Sequence, residues 1–129
     1  MNARRLALVL AATLTATTVS MGAAPAFAKG GGGDVRASSA CSTGVIKLKA
    51  KHDNGVIEVE AEVDTNRNGQ VWAVKLIDNG VTAFSGMRTT AAPSGSFEVE
   101  KKIANRSGVD TITVRATRGS TVCTTGVSL

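Results

Sequence analysis

Apolar and polar residues alternate with a period of two along most of the chain after residue 44. Apolar side chains alternate with lysine over 45–51 and with glutamate over 55–63. Such alternation places one face of a strand in a core and the other face in water. After residue 28 there is no apolar stripe with the i, i+3, i+4 spacing of an amphipathic helix. The pattern therefore predicts an all-β domain.

The first predicted hairpin turns at Asn54-Gly55, a dipeptide that favours two-residue loops because both of its residues tolerate positive φ. A three-residue loop would set Lys51 against Ile57 and would mix the two faces. Each Lys–Glu pair contributes about 0.2–1 kcal/mol, so the pairs select the register more than they stabilise the fold. The two-residue loop predicts three charged pairs on one face, Lys51–Glu58, Lys49–Glu60 and Lys47–Glu62, and three apolar pairs on the other, Ala50–Val59, Leu48–Ala61 and Ile46–Val63.

A second hairpin is predicted around the turn sequence at residues 78–80, Asp-Asn-Gly. We expect a three-residue loop with Gly80 in the left-handed region. This loop places Phe84 opposite Val74 and on the same face as Trp72. A two-residue loop would instead set Phe84 against Lys75.

Three further alternating segments follow at 96–101, 110–117 and 121–128. Seven short strands separated by Gly, Asn and Ser turns indicate an antiparallel, seven-stranded sandwich. Trp72, Phe84 and Phe97 are predicted to form its aromatic core.

Two features of the sequence resemble immunoglobulin-like or fibronectin-III-like sandwiches of bacterial surface and secreted proteins. They are Trp72 in the third strand and the segment GVDTITVRAT at 108–117 in the sixth. The resemblance covers about residues 41–128 and implies an Ig-like β-sandwich domain, which we place at residues 41–129. The chain has no tyrosine, so the tyrosine corner of many such domains is absent. A resemblance in fold implies no particular activity.

The first 28 residues have the organisation of a secretory signal peptide. Arg4 and Arg5 precede an apolar run, and residues 26–28 form an A-x-A cleavage signal. The apolar run is too short and too rich in threonine to span a bilayer. We therefore expect a secreted, extracellular protein with no membrane span after signal cleavage. Residues 29–40, with four consecutive glycines, are predicted to be a flexible arm.

The charge of the exported chain is only mildly positive. The whole chain has 15 basic and 10 acidic residues, and removal of Arg4 and Arg5 leaves a net charge of +3. The basic residues are scattered, and no aromatic residues are interleaved with them as a single-strand binder would need. We expect no nucleic-acid partner.

Cys41 and Cys123 are the only cysteines. Two cysteines in an exported domain most often pair. Neither lies in a C-x-x-C motif, so a redox-active pair is not indicated. We predict a structural disulfide that closes the domain from end to end.

One segment resembles the opening of a calcium loop, the DTNRNG sequence at 64–69. Such a loop needs a bidentate carboxylate at its twelfth position, which here is Lys75. We interpret the segment as a turn between strands, since Asp, Asn and Gly favour turn geometry. No metal site is predicted.

No catalytic constellation and no cofactor site is evident in the sequence. His52 is the only histidine and is surrounded by turn residues, so we interpret it as a surface residue of the hairpin. Glu58, Glu60 and Glu62 share a face, but their predicted lysine partners keep them ionised and exposed, unlike the acid of a glycosidase. We therefore expect a protein that is not an enzyme.

Two hypotheses for function remain. The first is a secreted, non-catalytic binding or structural module whose partner is a protein or a cell-envelope surface, contacted through strand edges or through loops at 89–95 and 104–108. The alternative is a secreted enzyme inhibitor, for instance of proteases, that presents the 89–95 loop as a substrate-like segment.

Overall fold

The computed structural model describes residues 33–129, and the predicted signal peptide lies outside this range. The described residues form eight β-strands, which are β1 (Val35–Cys41), β2 (Gly44–Asp53), β3 (Val56–Asp64), β4 (Val71–Asp78), β5 (Val81–Thr89), β6 (Ser96–Ala104), β7 (Thr111–Arg118) and β8 (Thr121–Ser128). The all-β prediction is confirmed.

The strands form two four-stranded antiparallel sheets. Sheet A has the order β1-β2-β3-β6, and sheet B has the order β5-β4-β7-β8. The chain crosses between the sheets after β3, β5 and β6. This architecture is a β-sandwich that is compatible with an Ig-like domain.

The sandwich has eight strands rather than the predicted seven, because part of the predicted arm is ordered. Residues 35–41 form β1, which pairs with β2 from Val35↔Ala50 to Cys41↔Gly44. The prediction of a flexible arm over 29–40 is therefore wrong for residues 35–40, and residues 29–32 lie outside the described range. Every second side chain of β1 is at least partly buried, which this strand achieves with small residues such as Ala37 and Ser39.

The first hairpin has the predicted register. Asn54 (φ 49°) and Gly55 (φ 83°) form the two-residue turn, and all six predicted cross-strand pairs are present, from Lys51↔Glu58 to Ile46↔Val63. Both members of each of the three apolar pairs are buried, so the pattern of the two strands and the turn chemistry agree.

The second hairpin differs from the prediction. Its loop has two residues, Asn79 (φ 47°) and Gly80 (φ 82°), so Asp78 pairs with Val81. The register then shifts between Leu76 and Ile77, and Phe84 lies opposite Leu76 rather than Val74. A β-bulge thus supplies the extra residue that we had assigned to the loop, and it returns Phe84 to the inner face.

The core lies between the two sheets and consists of inward residues from both. Trp72 and Phe97 are buried, as predicted, whereas Phe84 is only partly buried and packs against the edge of the core. Ile112, Val114 and Ala116, which alternate in the predicted strand at 110–117, are also buried.

A disulfide between Cys41 and Cys123 closes one side of the sandwich. It joins the end of β1 to β8, with a Cα–Cα distance of 5.1 Å, and both cysteines are buried. The two residues are 82 positions apart, so the bond links the first described strand to the last.

Removal of this disulfide is expected to destabilise the domain by about 4 kcal/mol, because a closed loop of this length restricts the unfolded chain strongly. The test is urea unfolding of the exported chain, comparing the oxidised protein with a Cys41→Ala/Cys123→Ala variant and with the reduced protein. Equal unfolding midpoints for the oxidised and substituted proteins would contradict a stabilising role.

A second prediction follows from the register between β3 and β6. It sets Glu60 against Glu100 and Glu58 against Lys102. Like charges directly opposite each other are unfavourable. Glu100→Lys should therefore raise the free energy of unfolding by about 0.5 kcal/mol and Lys102→Glu should lower it by a similar amount. Both effects should shrink in 1 M salt. Changes of the same sign for the two variants would contradict this register.

Candidate functional site

The two outer faces of the sandwich carry different charges. Eight of the ten acidic residues belong to sheet A or directly precede it, namely Asp34, Asp53, Glu58, Glu60, Glu62, Asp64, Glu98 and Glu100. The other two, Asp78 and Asp110, are buried. The outer face of sheet B, formed by the outward side chains of β5, β4, β7 and β8 and called the sheet B face below, therefore carries no carboxylate.

An exposed apolar row crosses the sheet B face. The register places Met87 opposite Ala73, Ala73 opposite Thr117, and Thr117 opposite Val122, so the row spans all four strands. Met87 is 60% exposed and Val122 is 51% exposed, and Val71 beside the row is 50% exposed. Three large apolar side chains are thus held on one solvated face.

The adjacent row carries two cations. It runs from Ser85 to Lys75 to Arg115 to Thr124, so Lys75 and Arg115 lie directly opposite each other on the two central strands. None of the salt bridges formed within residues 33–129 involves either side chain. Like charges in this arrangement are unfavourable in the isolated domain.

The rest of the sheet B face is mostly polar, with the partly buried Ile77 as an exception. A third row contains Ile77, Thr113 and Gly126, and threonine or serine occupies many of the remaining outward positions of these strands. A Cβ atom at Gly126 would lie 3.2 Å from the Ile112 carbonyl oxygen. The glycine leaves the surface low at this point and its backbone accessible.

The outer face of sheet A is internally neutralised. Lys47 Nζ lies 3.1 Å from Glu62 and Lys51 Nζ lies 3.7 Å from Glu58, and Lys49 also pairs with Glu60. The predicted lysine partners of all three glutamates are confirmed. A shallow groove of about 620 Å³ on this face is lined by both members of two of these pairs, so its charges largely satisfy one another.

An acidic cluster lies at the β6 side of sheet A. Carboxylate oxygens of Glu60, Glu98 and Glu100 lie within 4.8 Å of one another. The pKa of Glu98 is raised, chiefly by its hydrogen bond with Glu100 and also by burial and by the nearby charges of Glu100 and Glu62. Among the described residues these three are the group best placed to hold a metal ion, but Lys49 already contacts Glu60.

The edge strands β5 and β6 each carry a cationic side chain that points toward the interior of the sandwich. Arg88 of β5 lies opposite Trp72, and Lys101 of β6 lies opposite Val59, so both point toward the interior. Arg88 lies 5.2 Å and Lys101 4.7 Å from the centre of the Phe84 ring. Inward charges and bulges on edge strands oppose the addition of another strand.

The segment that resembles a calcium loop is a turn, as predicted. Asp64 Oδ1 accepts a hydrogen bond from Asn66 N at 3.2 Å. The buried Thr65 hydroxyl donates to the Gly95 carbonyl at 2.9 Å. Gly69 N donates to the Thr90 carbonyl at 2.7 Å. The turn is therefore tied to the 89–95 loop.

The 89–95 loop is held against this turn rather than presented as an extended segment. Thr90 is buried, and Gly95 N and Ser96 N both donate to the Ala91 carbonyl, which folds the loop back on itself. Thr89 and residues 91–93 are exposed, and Ser94 is half-buried. An inhibitor needs a longer accessible segment, so this geometry does not favour the inhibitor hypothesis, which stays a prediction.

His52 is exposed at the end of β2. Its Nδ1 atom lies 3.3 Å from the Asn105 side-chain nitrogen, which links the first hairpin to the 104–108 loop. The contact joins two turns and brings no acid or nucleophile to the ring.

Sequence reasoning missed a buried pair of aspartates. Asp78 at the end of β4 is 2% exposed and Asp110 before β7 is 0% exposed. The pKa of Asp78 is raised, first by burial and then by the charge and hydrogen bond of Asp110, against an opposing effect of Arg106. The sequence contained a signal for both residues. The inward alternation of Trp72 and Leu76 reaches Asp78 when it is extended by two residues, and that of Ile112 reaches Asp110 when it is extended back by two.

Comparisons with known proteins found no match among family models, curated proteins or solved structures. Within residues 33–129 no helix long and apolar enough to cross a membrane is present.

The packing of the 89–95 loop can be tested at Gly95. This residue has φ 68°, and a Cβ atom there would lie 2.7 Å from the backbone carbonyl carbons of Asn66 and Arg67. Gly55 also has positive φ, but nothing lies within 4 Å of its Cβ position. We expect Gly55→Ala to cost about 1 kcal/mol and Gly95→Ala to cost roughly 1–3 kcal/mol more because the backbone must shift. Equal losses in urea unfolding would show that the loop is free.

Proposed function

We propose that this protein is a secreted, non-catalytic binding module that docks through the sheet B face onto a partner with negative surface charge. The observation that carries the proposal is the segregation of charge. All solvent-accessible carboxylates lie on the sheet A side, while the sheet B face combines an apolar row with two cations that lack internal partners.

An anionic partner would supply what the sheet B face lacks. Lys75 and Arg115 repel each other in the free domain, and a carboxylate or phosphate placed between them would remove that repulsion. The neighbouring Met87 and Val122 would bury apolar surface against the same partner, which supplies affinity. A protein with an acidic patch beside an apolar strip fits both requirements better than a uniformly charged polymer.

The size of the face sets the expected strength of binding. Four strands about 4.8 Å apart and about eight residues long cover roughly 19 by 27 Å. An interface of this footprint buries on the order of 1,000 Å² in total, which is typical of transient rather than permanent complexes. We expect a dissociation constant in the micromolar range.

The sheet B face is a better candidate than the edges at β5 and β6 or the 89–95 loop. The inward side chains of Arg88 and Lys101 oppose strand addition at β5 and β6. The 89–95 loop is tied to the 64–69 turn. Binding at a rigid sheet face requires no ordering of these segments.

The proposal includes export of the protein and an Ig-like fold. The signal-peptide pattern of residues 1–28 and the disulfide support export to an oxidising compartment. The grouping of the strands into two antiparallel sheets, with Trp72 buried between them, supports an Ig-like sandwich. Sandwiches of this kind commonly serve as binding domains at cell surfaces.

The test is capture of partners from the culture fluid and envelope extract of the source cells by the immobilised exported chain. A Lys75→Glu/Arg115→Glu variant should lose the proteins that the natural chain retains, and 1 M salt should release them. Arg36→Glu is the matched control, because it makes the same kind of charge reversal on the outer face of sheet A.

Two outcomes would contradict the proposal. Retention of the same partners by the Lys75→Glu/Arg115→Glu variant would show that the sheet B face is not the docking surface. Failure of the natural chain to retain any partner at micromolar concentration would remove the support for a binding module.

A further inference from the structure

Two buried carboxyl groups meet at one end of the sandwich. Asp78 ends β4 and Asp110 precedes β7. Both contact Arg106, which lies in the loop between β6 and β7. Arg106 Nε lies 3.3 Å from Asp78 Oδ2, and Arg106 N donates to Asp110 Oδ1 at 3.3 Å. Asp110 also raises the pKa of Asp78, through its charge and through a side-chain hydrogen bond.

One carboxyl oxygen of each aspartate lacks a hydrogen-bond donor among the described residues. Asp78 Oδ1 and Asp110 Oδ2 are both inaccessible to solvent and accept no hydrogen bond from any described donor. Two ionised carboxylates in this position would place two negative charges in the interior against the single charge of Arg106, which is strongly unfavourable.

Because these oxygens are enclosed, few ligands can bind to them. A calcium ion takes six to eight oxygen ligands, commonly including water, and these buried atoms leave no route for such a shell. A substrate is excluded for the same reason, so the pair is not a catalytic dyad. A proton needs no additional space.

We propose that Asp78 and Asp110 share one proton in the folded protein, with Asp78 as the carboxylic acid and Asp110 as the carboxylate. The Asp78 Oδ1–H group then donates to Asp110 Oδ2, and this one hydrogen bond satisfies both unpartnered oxygens. Asp78 Oδ2 still accepts from Arg106 Nε, and the pair together with Arg106 is neutral.

The shared proton connects three segments of the chain. Asp78 begins the β4–β5 turn, where Asn79 Oδ1 accepts from Thr111 N at 2.8 Å. Asp110 pairs through its backbone with Leu129, at 2.9 and 3.0 Å. Loss of the proton would therefore loosen the turn, the 105–110 loop and the end of β8 together.

The direction of the pH dependence follows from the proton balance. In the unfolded chain Asp78 loses its proton near its ordinary pKa of 3.8, while in the folded protein the raised pKa retains it. The contribution to stability is complete below pH 3.8 and is lost as the pH rises toward and through the folded pKa of Asp78.

The other charged groups near this end are few. Asp110 and Arg106 are the charges that act on Asp78. His52 reaches the loop only through Asn105, and the Asp53–Lys102 pair at 3.7 Å is exposed. Asp53 therefore offers a matched control for an aspartate outside the buried pair.

The experiment compares thermal unfolding of the exported, disulfide-bonded chain between pH 4 and pH 9 with that of Asp78→Asn. An asparagine amide donates to Asp110 without needing a proton. We expect the natural protein to lose roughly 5 °C or more relative to Asp78→Asn across this range, and Asp53→Asn to retain the natural pH dependence. Asp110→Asn serves as the second variant should Asp78→Asn fail to fold.

A direct titration needs no variant. Carbon-13 NMR of the aspartate carboxyl groups should show one group that keeps its proton well above the ordinary range, and its signal should be absent in Asp78→Asn. The proposal is overturned if every aspartate in the natural protein titrates below about pH 5, or if the stability difference between natural protein and Asp78→Asn is constant with pH.

Discussion

Strand register is the constraint on which the rest of this structure depends. Because side chains alternate between faces, a shift of one residue in any pair of strands would exchange core and surface. The turn at Asn54-Gly55 sets the register of β2 and β3, and the bulge beside Leu76 restores the register of β4 and β5 after a tight turn. The buried core and the distribution of surface charge both follow from these two alignments.

The distribution of charge then distinguishes the two sides of the sandwich. On sheet A the register sets lysines against glutamates, and the outer face neutralises itself. On sheet B the same rule brings Lys75 beside Arg115 without a carboxylate to balance them. A protein whose only requirement was stability would gain from an acidic residue at either position. The described sheet B face has no acidic residue, and the proposed docking surface rests on this observation.

Much of this architecture could be predicted from the sequence, and the limits have physical causes. Asn54-Gly55 and the alternation around it predicted one hairpin completely, because turn and pattern agree. The bulge near Phe84 was missed because a two-residue loop with a bulge and a three-residue loop both return that ring to the inner face. Strand β1 was missed because small residues such as Ala37 and Ser39 resemble a linker until β2 supplies their partner.

The candidate site was less predictable than the fold. The rows that cross the sheet B face depend on β4 lying beside β7, and this neighbour relation arises from a crossover between sheets rather than from a local turn. The sequence therefore shows which residues face outward but not that Lys75 meets Arg115. The buried aspartates were a different case, since their inward positions were visible in the alternation. Asp78 was interpreted as a turn residue, and Asp110 was placed at the start of a strand without its burial being recognised.

The most direct test of the account is methyl NMR of the exported chain in the presence of a captured partner. Binding through the sheet B face predicts changes in the signals of Met87, Val71 and Val122, with the methyl groups of Val45, which is exposed on sheet A, unaffected. Changes confined to sheet A, or to the exposed tip of the 89–95 loop, would contradict binding through the sheet B face.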